Sequence, residues 1–123
     1  MYDKELIEDI LLDIVNAARK AKSRCSKFKS VDKFVDNNEE VQIVLDSICM
    51  QLIAISEAVK KIDKITDKKL LSNYKEIDWQ KVAGIRDVLS YHYFDLNAEV
   101  IYSVCQNHID NLITTLEKIL EEL

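Results

Sequence analysis

The chain has no proline and a single glycine, Gly84, among its 123 residues. Chains that fold into sheets reverse direction every few residues, and they depend on glycine and proline because these residues fit tight turns. A chain almost without them is expected to consist of long elements joined by few connections. Leucine, lysine and glutamate are plentiful, and all three are good helix formers. The sequence therefore predicts an all-α fold.

Apolar residues recur at steps of three and four along much of the chain, which is the spacing of one face of a helix. This pattern predicts four main helices, at about residues 3–24, 39–64, 79–91 and 97–121. The polar connection over residues 66–77 leaves room for one short helical turn. Helices joined in this way favour an up-down bundle, and a chain of this length is expected to form a single domain over residues 1–123.

Capping residues precede three of the predicted helices. Asn38 stands before the second helix, Asp78 before the third, and Asp95 or Asn97 before the last. Side-chain oxygens at such positions accept hydrogen bonds from backbone N–H groups that the first helical turn leaves free. Trp79, at the start of the third helix, is expected to anchor the core because its large ring is costly to leave in water.

The cellular environment is suggested by what the sequence lacks. No continuous run of apolar residues approaches the ~18–20 needed to span a bilayer, and the first ten residues do not resemble a secretory signal. The three cysteines, Cys25, Cys49 and Cys105, are widely spaced and form no CxxC pair, so neither a zinc site nor a disulfide framework is suggested. We expect a cytoplasmic protein with no membrane contact, no bound metal and no cofactor.

Charge is unevenly distributed along the chain. The net charge of −5 disfavours nonspecific binding to nucleic acid. Cations nevertheless crowd the end of the first helix and the loop after it, at Arg19, Lys20, Lys22, Arg24, Lys27, Lys29 and Lys33. Such a basic end could bind RNA phosphates or an acidic partner, or it could be a solvated surface with no partner.

The residues that could carry chemistry are concentrated in the run IRDVLSYHYF, residues 85–94. Histidine can move a proton near neutral pH, and arginine can stabilise the negative charge of a phosphorane. A pair of Arg86 and His92 therefore suits phosphodiester cleavage, and Asp87 could orient a side chain or bind the arginine of a neighbouring subunit. Taken alone, the run favours a structural role, in which His92 is a polar rim residue and the aromatic residues belong to the core.

A longer block, WQKVAGIRDVLSYHYFDLNAEVIYSVCQNHI at residues 79–109, resembles the signature of HepT-type proteins of the HEPN superfamily. In that signature a tryptophan and an AG(I/L/M)R segment lead to the arginine, a histidine, Tyr-Phe, an acidic cap and the last helix. Upstream, Ile55-Ser56-Glu57-Ala58 resembles the family's I-G-E-A segment on the second helix. The resemblance covers about residues 3–117 and implies a HEPN-like bundle.

The motif departs from the family at one position. Most HepT-like sequences place the histidine five residues after the arginine, where this chain has Tyr91, and His92 follows one step later. One residue along a helix is a rotation of about 100°. His92 can therefore take the role of the missing imidazole only if the helix bends near its end.

The resemblance implies a specific biochemistry. HepT-type proteins are metal-independent RNA endonucleases that act as toxins, and they form homodimers in which two Arg–His motifs meet in a cleft. Each is paired with a small nucleotidyltransferase antitoxin, MntA, that transfers AMP from ATP to the motif tyrosine. In this sequence Arg86, His92 and Asp87 then form the catalytic group, and Tyr93 is the AMP acceptor.

Two other readings remain open. The Tyr91 departure favours a catalytically impaired HEPN domain that serves as the binding partner of a nucleotidyltransferase. The other is a plain helical dimerisation protein, and the block from Arg86 to Phe94 argues against it. Glu57, on a mostly apolar helix, could pair with Arg86 across the bundle in any of these cases, and Gly84 could allow close packing of helices.

Overall fold

The structure is a computed structural model that describes residues 2–28, 30–34, 38–91 and 97–123. Over these ranges the chain forms seven α-helices and one short 3-10 helix, with no β-strand. The helices are α1 (Lys4–Cys25), α2 (Val31–Phe34), α3 (Glu39–Thr66), the 3-10 helix (Leu71–Asn73), α4 (Trp79–Ala83), α5 (Ile85–Tyr91), α6 (Ala98–Asn107) and α7 (Ile109–Glu122). The all-α prediction is confirmed.

Four helical arms form the bundle: α1, α3, the pair α4–α5 and the pair α6–α7. The long helices α1 and α3 pack along each other, α7 packs on α1, and α4 and α5 pack mainly on α3. The side chains between them form one hydrophobic cluster, whose fully buried members include Ile7, Leu11, Ile48, Ile55 and Leu116. The predicted up-down arrangement of four main helices plus a short turn is therefore observed, although two of the four arms are kinked.

The kinks fall at Gly84 and His108, where the sequence predicted uninterrupted helices. Gly84 donates a backbone hydrogen bond shared between Gln80 O and Lys81 O, at 3.1 and 3.2 Å, which tightens the last turn of α4. His108 leaves the helical region with φ −121° and supplies no side-chain cap to α7. Apolar periodicity continues through both positions, which is why it could not reveal these interruptions of the helices.

The predicted caps are confirmed at three helix starts. Asn38 Oδ1 accepts from Val41 N–H at 2.9 Å, and Asp78 Oδ1 accepts from Lys81 N–H at 3.2 Å. Asn97, rather than Asp95, caps α6 by accepting from two backbone N–H groups, at 3.0 and 3.3 Å; Asp95 itself lies outside the described residues. These bonds satisfy donors that the first turn would otherwise leave free.

The connection between α3 and α4 is less polar than the sequence suggested. It buries Leu70, Leu71 and Tyr74 in the core. The Trp79 indole Nε1 donates to Tyr74 O at 2.9 Å, and the Tyr74 hydroxyl donates to Glu122 at 2.8 Å. The connection therefore ties the start of α4 to the end of α7, and Trp79 is the predicted core anchor.

Several apolar side chains on the helices that form the bundle lie at its surface. Leu6 of α1 is 39% exposed, and Val100 of α6 is 54% exposed. Further exposed apolar residues are Leu12, Val31, Ile43, Met50, Val88 and Tyr91. Among the described residues α3 alone is long and apolar enough to cross a membrane by length and composition, although 39% of its most apolar window is buried in the bundle.

Candidate functional site

Arg86 lies on the first turn of α5, directly after the kink at Gly84, where the α4–α5 arm crosses α3. One polar link between the arms runs through Ser56 of α3, which is fully buried. The Ser56 hydroxyl donates to Ala83 O at 2.8 Å and lies 3.4 Å from the backbone N–H of Arg86, which donates to it. One hydroxyl thus satisfies the last carbonyl of α4 and an early N–H of α5, and it fixes the start of the helix that carries Arg86.

The side chain of Arg86 is held by Glu57, the next residue of α3. Arg86 Nε lies 3.3 Å from Glu57 Oε1, and the two side chains are 55% and 48% exposed. Lys60, one turn further along α3, places its ammonium 3.6 Å from the same carboxylate oxygen. An ion pair this exposed contributes little to stability, so its main effect is to orient the guanidinium while leaving part of it open to solvent. The expected contact between Glu57 and Arg86 is confirmed.

The other predicted site residues are only partly described. Asp87 is exposed and makes no hydrogen bond or ion pair within the described ranges. Tyr91, at the end of α5, is 87% exposed, which is the highest value among the exposed large apolar residues. His92 and Tyr93, the predicted proton carrier and AMP acceptor, lie outside the described residues. The structure therefore brings Arg86 to Glu57 and leaves the distance from Arg86 to the imidazole open.

Sequence reasoning missed two members of this site, Ser56 and Lys60. The family's I-G-E-A segment has glycine where this chain has Ser56. That replacement was the available sequence signal for a hydroxyl between α3 and the α4–α5 arm. For Lys60 the available signal was its spacing of three from Glu57, which predicts an ion pair on the same helix face.

The described residues contain no group of three histidine, cysteine, aspartate or glutamate side chains placed to hold a metal ion. Cys25, Cys49 and Cys105 are buried and free of disulfides. The Cys25 and Cys105 thiols hydrogen-bond each other, and this bond together with burial raises the pKa of Cys105. Burial and the nearby Asp46 carboxylate raise the pKa of Cys49 to about 11. Neither Cys49 nor Cys105 carries an activated thiolate at neutral pH.

A cavity of about 390 Å³ lies behind the site, between the α4–α5 arm and the α6–α7 arm. Its floor is apolar and includes Leu52, Ile55 and Ile85, the neighbour of Arg86. Lys81 and His108 stand at its rim. The arm that carries Arg86 is thus packed on α3 along one side and borders open space on the other.

Comparison with known proteins places this geometry in context. A family model described as "Ribonuclease HepT-like" matches residues 8–119. A "Putative RNase" of Methanocaldococcus jannaschii is 29% identical over 92 residues, which are 75% of this chain and 69% of the relative. A second from the same organism is 29% identical over 98 residues, covering 80% of this chain and 78% of the relative. A "Putative RNase" of Caldanaerobacter subterraneus subsp. tengcongensis is 31% identical over 68 residues, covering 55% and 57%. No solved structure gives a significant match.

The kinked helical bundle, with an arginine presented at the crossing of two arms, is an all-α HEPN-like protein. More narrowly, the chain belongs to the HepT-like ribonuclease family, because the family model spans nearly its whole length.

Proposed function

We propose that this protein is an endoribonuclease that cleaves RNA without a metal ion, with Arg86 and His92 as its catalytic residues. The observation that carries the proposal is the position of Arg86 in a chain of a ribonuclease family. Its backbone is fixed by Ser56 and its guanidinium by Glu57, yet the side chain is 55% exposed. Such an arginine can bind a phosphate with donors that are already oriented before the substrate arrives.

The proposed reaction uses the RNA's own 2′-hydroxyl as nucleophile. His92 takes or relays the proton of this hydroxyl, whose oxygen attacks the adjacent phosphorus. Arg86 stabilises the additional negative charge on the phosphorane. The bond from phosphorus to the 5′-oxygen then breaks, that oxygen receives a proton, and the products are a 2′,3′-cyclic phosphate and a 5′-hydroxyl. Asp87, exposed one residue after Arg86, is proposed to orient a side chain of the catalytic group.

We infer that the working unit is a homodimer with the two α5 helices close together. One arginine and one histidine supply only part of a phosphoryl-transfer site, whereas two copies around a two-fold axis supply two of each. The α5 helix also carries exposed apolar side chains, with Val88 60% exposed and Tyr91 87% exposed. Exposed apolar residues on the helix that bears the site favour contact with a second copy.

We further propose that the protein is a toxin controlled by a small nucleotidyltransferase antitoxin in the cytoplasm. The antitoxin would join the Tyr93 oxygen to the α-phosphorus of ATP and release pyrophosphate. Phosphate attached beside the site would repel RNA and compete for Arg86. Tyr91 is a competing acceptor, because its side chain is exposed on the same segment.

A second function is favoured by one specific observation. Tyr91 stands at the position where most HepT-like sequences have histidine, and its ring points into solvent. A domain impaired in this way would act as the binding partner of a nucleotidyltransferase instead of cleaving RNA. The two functions differ in whether the purified protein cleaves RNA.

The decisive experiment incubates purified protein with total RNA in the presence of EDTA. Cleavage should persist and leave cyclic phosphate ends, and Arg86→Ala should reduce its rate on the order of 10²-fold or more because a main electrostatic contact is lost. Lys118→Ala is the matched control, since Lys118 forms a pair with Glu76 of similar length, 3.1 Å, with side chains 53% and 42% exposed. Cleavage by Arg86→Ala at the rate of the control would exclude Arg86 as a catalytic residue.

A further inference from the structure

The cations near the end of α1 divide into two sets. Arg19 and Lys22 face α7, where Arg19 pairs with Glu117 and Lys22 pairs with Asp110. Their charge is therefore largely compensated within the protein. The sequence showed only a continuous basic run and could not separate these two residues from their neighbours.

Lys20, Arg24 and Lys27 form the second set, called here the α1 basic stripe. Lys20 and Arg24 are one helical turn apart, so their side chains are neighbours about 5–6 Å apart at the Cβ atoms. Lys27 follows in the turn after α1. Within the described ranges none of the three pairs with a carboxylate, since the one polar contact of Arg24 is with the neutral hydroxyl of Ser47.

The surface at the stripe is concave, and no acid lines it among the described residues, although one lining residue, Arg19, pairs with Glu117 of α7. A shallow depression of about 390 Å³ is lined by Asn16, Arg19, Lys20, Ser23 and Arg24. The first half of α1 has the opposite character, with acids at Glu5, Glu8, Asp9 and Asp13. A solvated surface helix usually mixes both signs, whereas this helix separates them on a protein whose net charge is −5.

The stripe on α1 and Arg86 on α5 both contact α3. Arg24 contacts Ser47 of α3, and Arg86 contacts Glu57 of α3. These two residues of α3 are ten positions apart, which is about 15 Å along the helix. Met50 and Ala54 lie between them on α3 and are exposed, and residues 48–56 of α3 contribute no carboxylate to that surface.

We propose that the α1 basic stripe is a phosphate-binding surface for single-stranded RNA, separate from the catalytic centre. It binds the backbone of the strand a few nucleotides away from the phosphate that Arg86 contacts. This inference rests on the proposed ribonuclease function for its substrate, but it concerns binding and not cleavage. Lysine and arginine bind phosphates without reading the bases, so the stripe adds affinity and leaves sequence preference unchanged.

The test is fluorescence anisotropy with a labelled 2′-O-methyl RNA oligonucleotide, which binds but cannot be cleaved because its 2′-oxygen is blocked. Lys20→Gln with Lys27→Gln removes two cations and leaves the contact of Arg24 with Ser47 intact. The matched control is Lys68→Gln with Lys69→Gln, which causes the same change in net charge on exposed residues at the other end of α3. The stripe variant should bind several-fold more weakly than the control, and the slope of log K against log salt should fall by roughly 0.7 for each lost contact.

Equal weakening of RNA binding by the two variants would overturn the proposal, because overall charge would then explain the effect. An affinity of the stripe variant unchanged from wild type would overturn it as well. Polyglutamate serves as an acidic protein probe. If the stripe variant loses polyglutamate binding but keeps RNA binding, the surface belongs to an acidic protein partner and the RNA proposal is wrong. Loss of cleavage in Arg86→Ala with unchanged oligonucleotide binding would separate the two proposals, since each can fail without the other.

Discussion

At the scale of single residues, the site depends on how two side chains of α3, Ser56 and Glu57, contact α5. The sequence left the pairing of Glu57 with Arg86 as one possibility, because the two residues carry opposite charge and lie in the two segments that resemble the family. The role of Ser56 could not be predicted, because a buried serine in a helix gives no sign of which neighbouring carbonyl it bonds. The structure shows that its hydroxyl joins the two halves of the kinked arm.

Replacing Ser56 by alanine should lower both stability and catalysis. The change leaves Ala83 O without its partner in a buried contact, which costs about 1–3 kcal/mol of the free energy of unfolding. Chemical denaturation measures this loss, and the cleavage rate should fall further than the loss of folded protein explains, since Arg86 is less well placed. Ser72→Ala is the control, because its exposed hydroxyl makes only a 3.4 Å bond to Lys69 O. Equal stability of the two variants would contradict the bridging role of Ser56.

Tyr91→His tests the departure from the family motif. Because Tyr91 is 87% exposed, the substitution should change the free energy of unfolding by no more than about 0.5 kcal/mol, as surface changes usually do. If the tyrosine impairs the site, the variant should cleave RNA faster. A rate unchanged in Tyr91→His together with no cleavage in His92→Ala would identify His92 as the working residue. If both wild type and Tyr91→His fail to cleave any RNA, the binding-partner function takes the place of the ribonuclease.

At the scale of elements, sequence periodicity gave the extent of all four arms to within about two residues but not their shape. The arms at 79–91 and 97–121 are each divided by one residue, Gly84 and His108, and the apolar spacing passes through both without interruption. A helix is interrupted where its backbone carbonyls bond to groups outside the helix, and the spacing of apolar residues does not reveal such bonds. The capping residues were identified correctly because their bonds are local.

Gly84→Ala should be neutral or mildly stabilising, contrary to the expectation that the glycine allows close packing of helices. The residue has a negative φ of −85°, and an added Cβ would meet only carbonyls of its own helix, at 3.4 and 3.6 Å. Alanine in such a position reduces the entropy of the unfolded chain and adds about 0.4–1 kcal/mol. Chemical denaturation and the cleavage rate check this together. A loss of more than about 1 kcal/mol would mean that another element approaches the glycine more closely than described.

At the scale of the whole molecule, the hydrogen bond between Tyr74 and Glu122 joins the middle of the chain to the end of α7. It also makes the free energy of unfolding depend on pH in alkaline solution. Burial, then the hydrogen bond to Glu122 and its charge, raise the pKa of Tyr74 to about 12. Below about pH 10 the tyrosine keeps its proton in both the folded and the unfolded state. Above it the unfolded chain loses the proton first, so the free energy of unfolding falls as the pH rises towards 12.

Ultraviolet absorbance titration should show one of the five tyrosines ionising late, and Tyr74→Phe should remove that step. The same variant should lose less stability than wild type between about pH 10 and 12. Tyr102→Phe is the control, since its hydroxyl donates to a neutral carbonyl, Phe28 O. If Tyr102→Phe removes the late step and Tyr74→Phe does not, the assignment is wrong.

The proposed dimer can be tested with one charge on α5. Val88→Asp places a carboxylate on the exposed apolar side of the helix that bears Arg86, and it should convert a dimer into monomers and abolish cleavage. Val100→Asp is the matched control, because Val100 is 54% exposed but lies on α6. Light scattering measures the mass and circular dichroism the fold. Wild-type protein that is monomeric at micromolar concentration would defeat the dimer outright.

The α4–α5 arm packs mainly on α3 and borders a cavity on its other side, which has a consequence for how the molecule fluctuates. An element held along one side has fewer contacts to break before it detaches, so it opens at a lower free energy than the core formed by α1 and α3. Backbone amides of α5 should exchange with deuterium well before those of α3, without global unfolding. Arg86, the proposed catalytic residue, would then belong to an element that detaches more easily than the core, and its contacts with Ser56 and Glu57 would set how often α5 detaches.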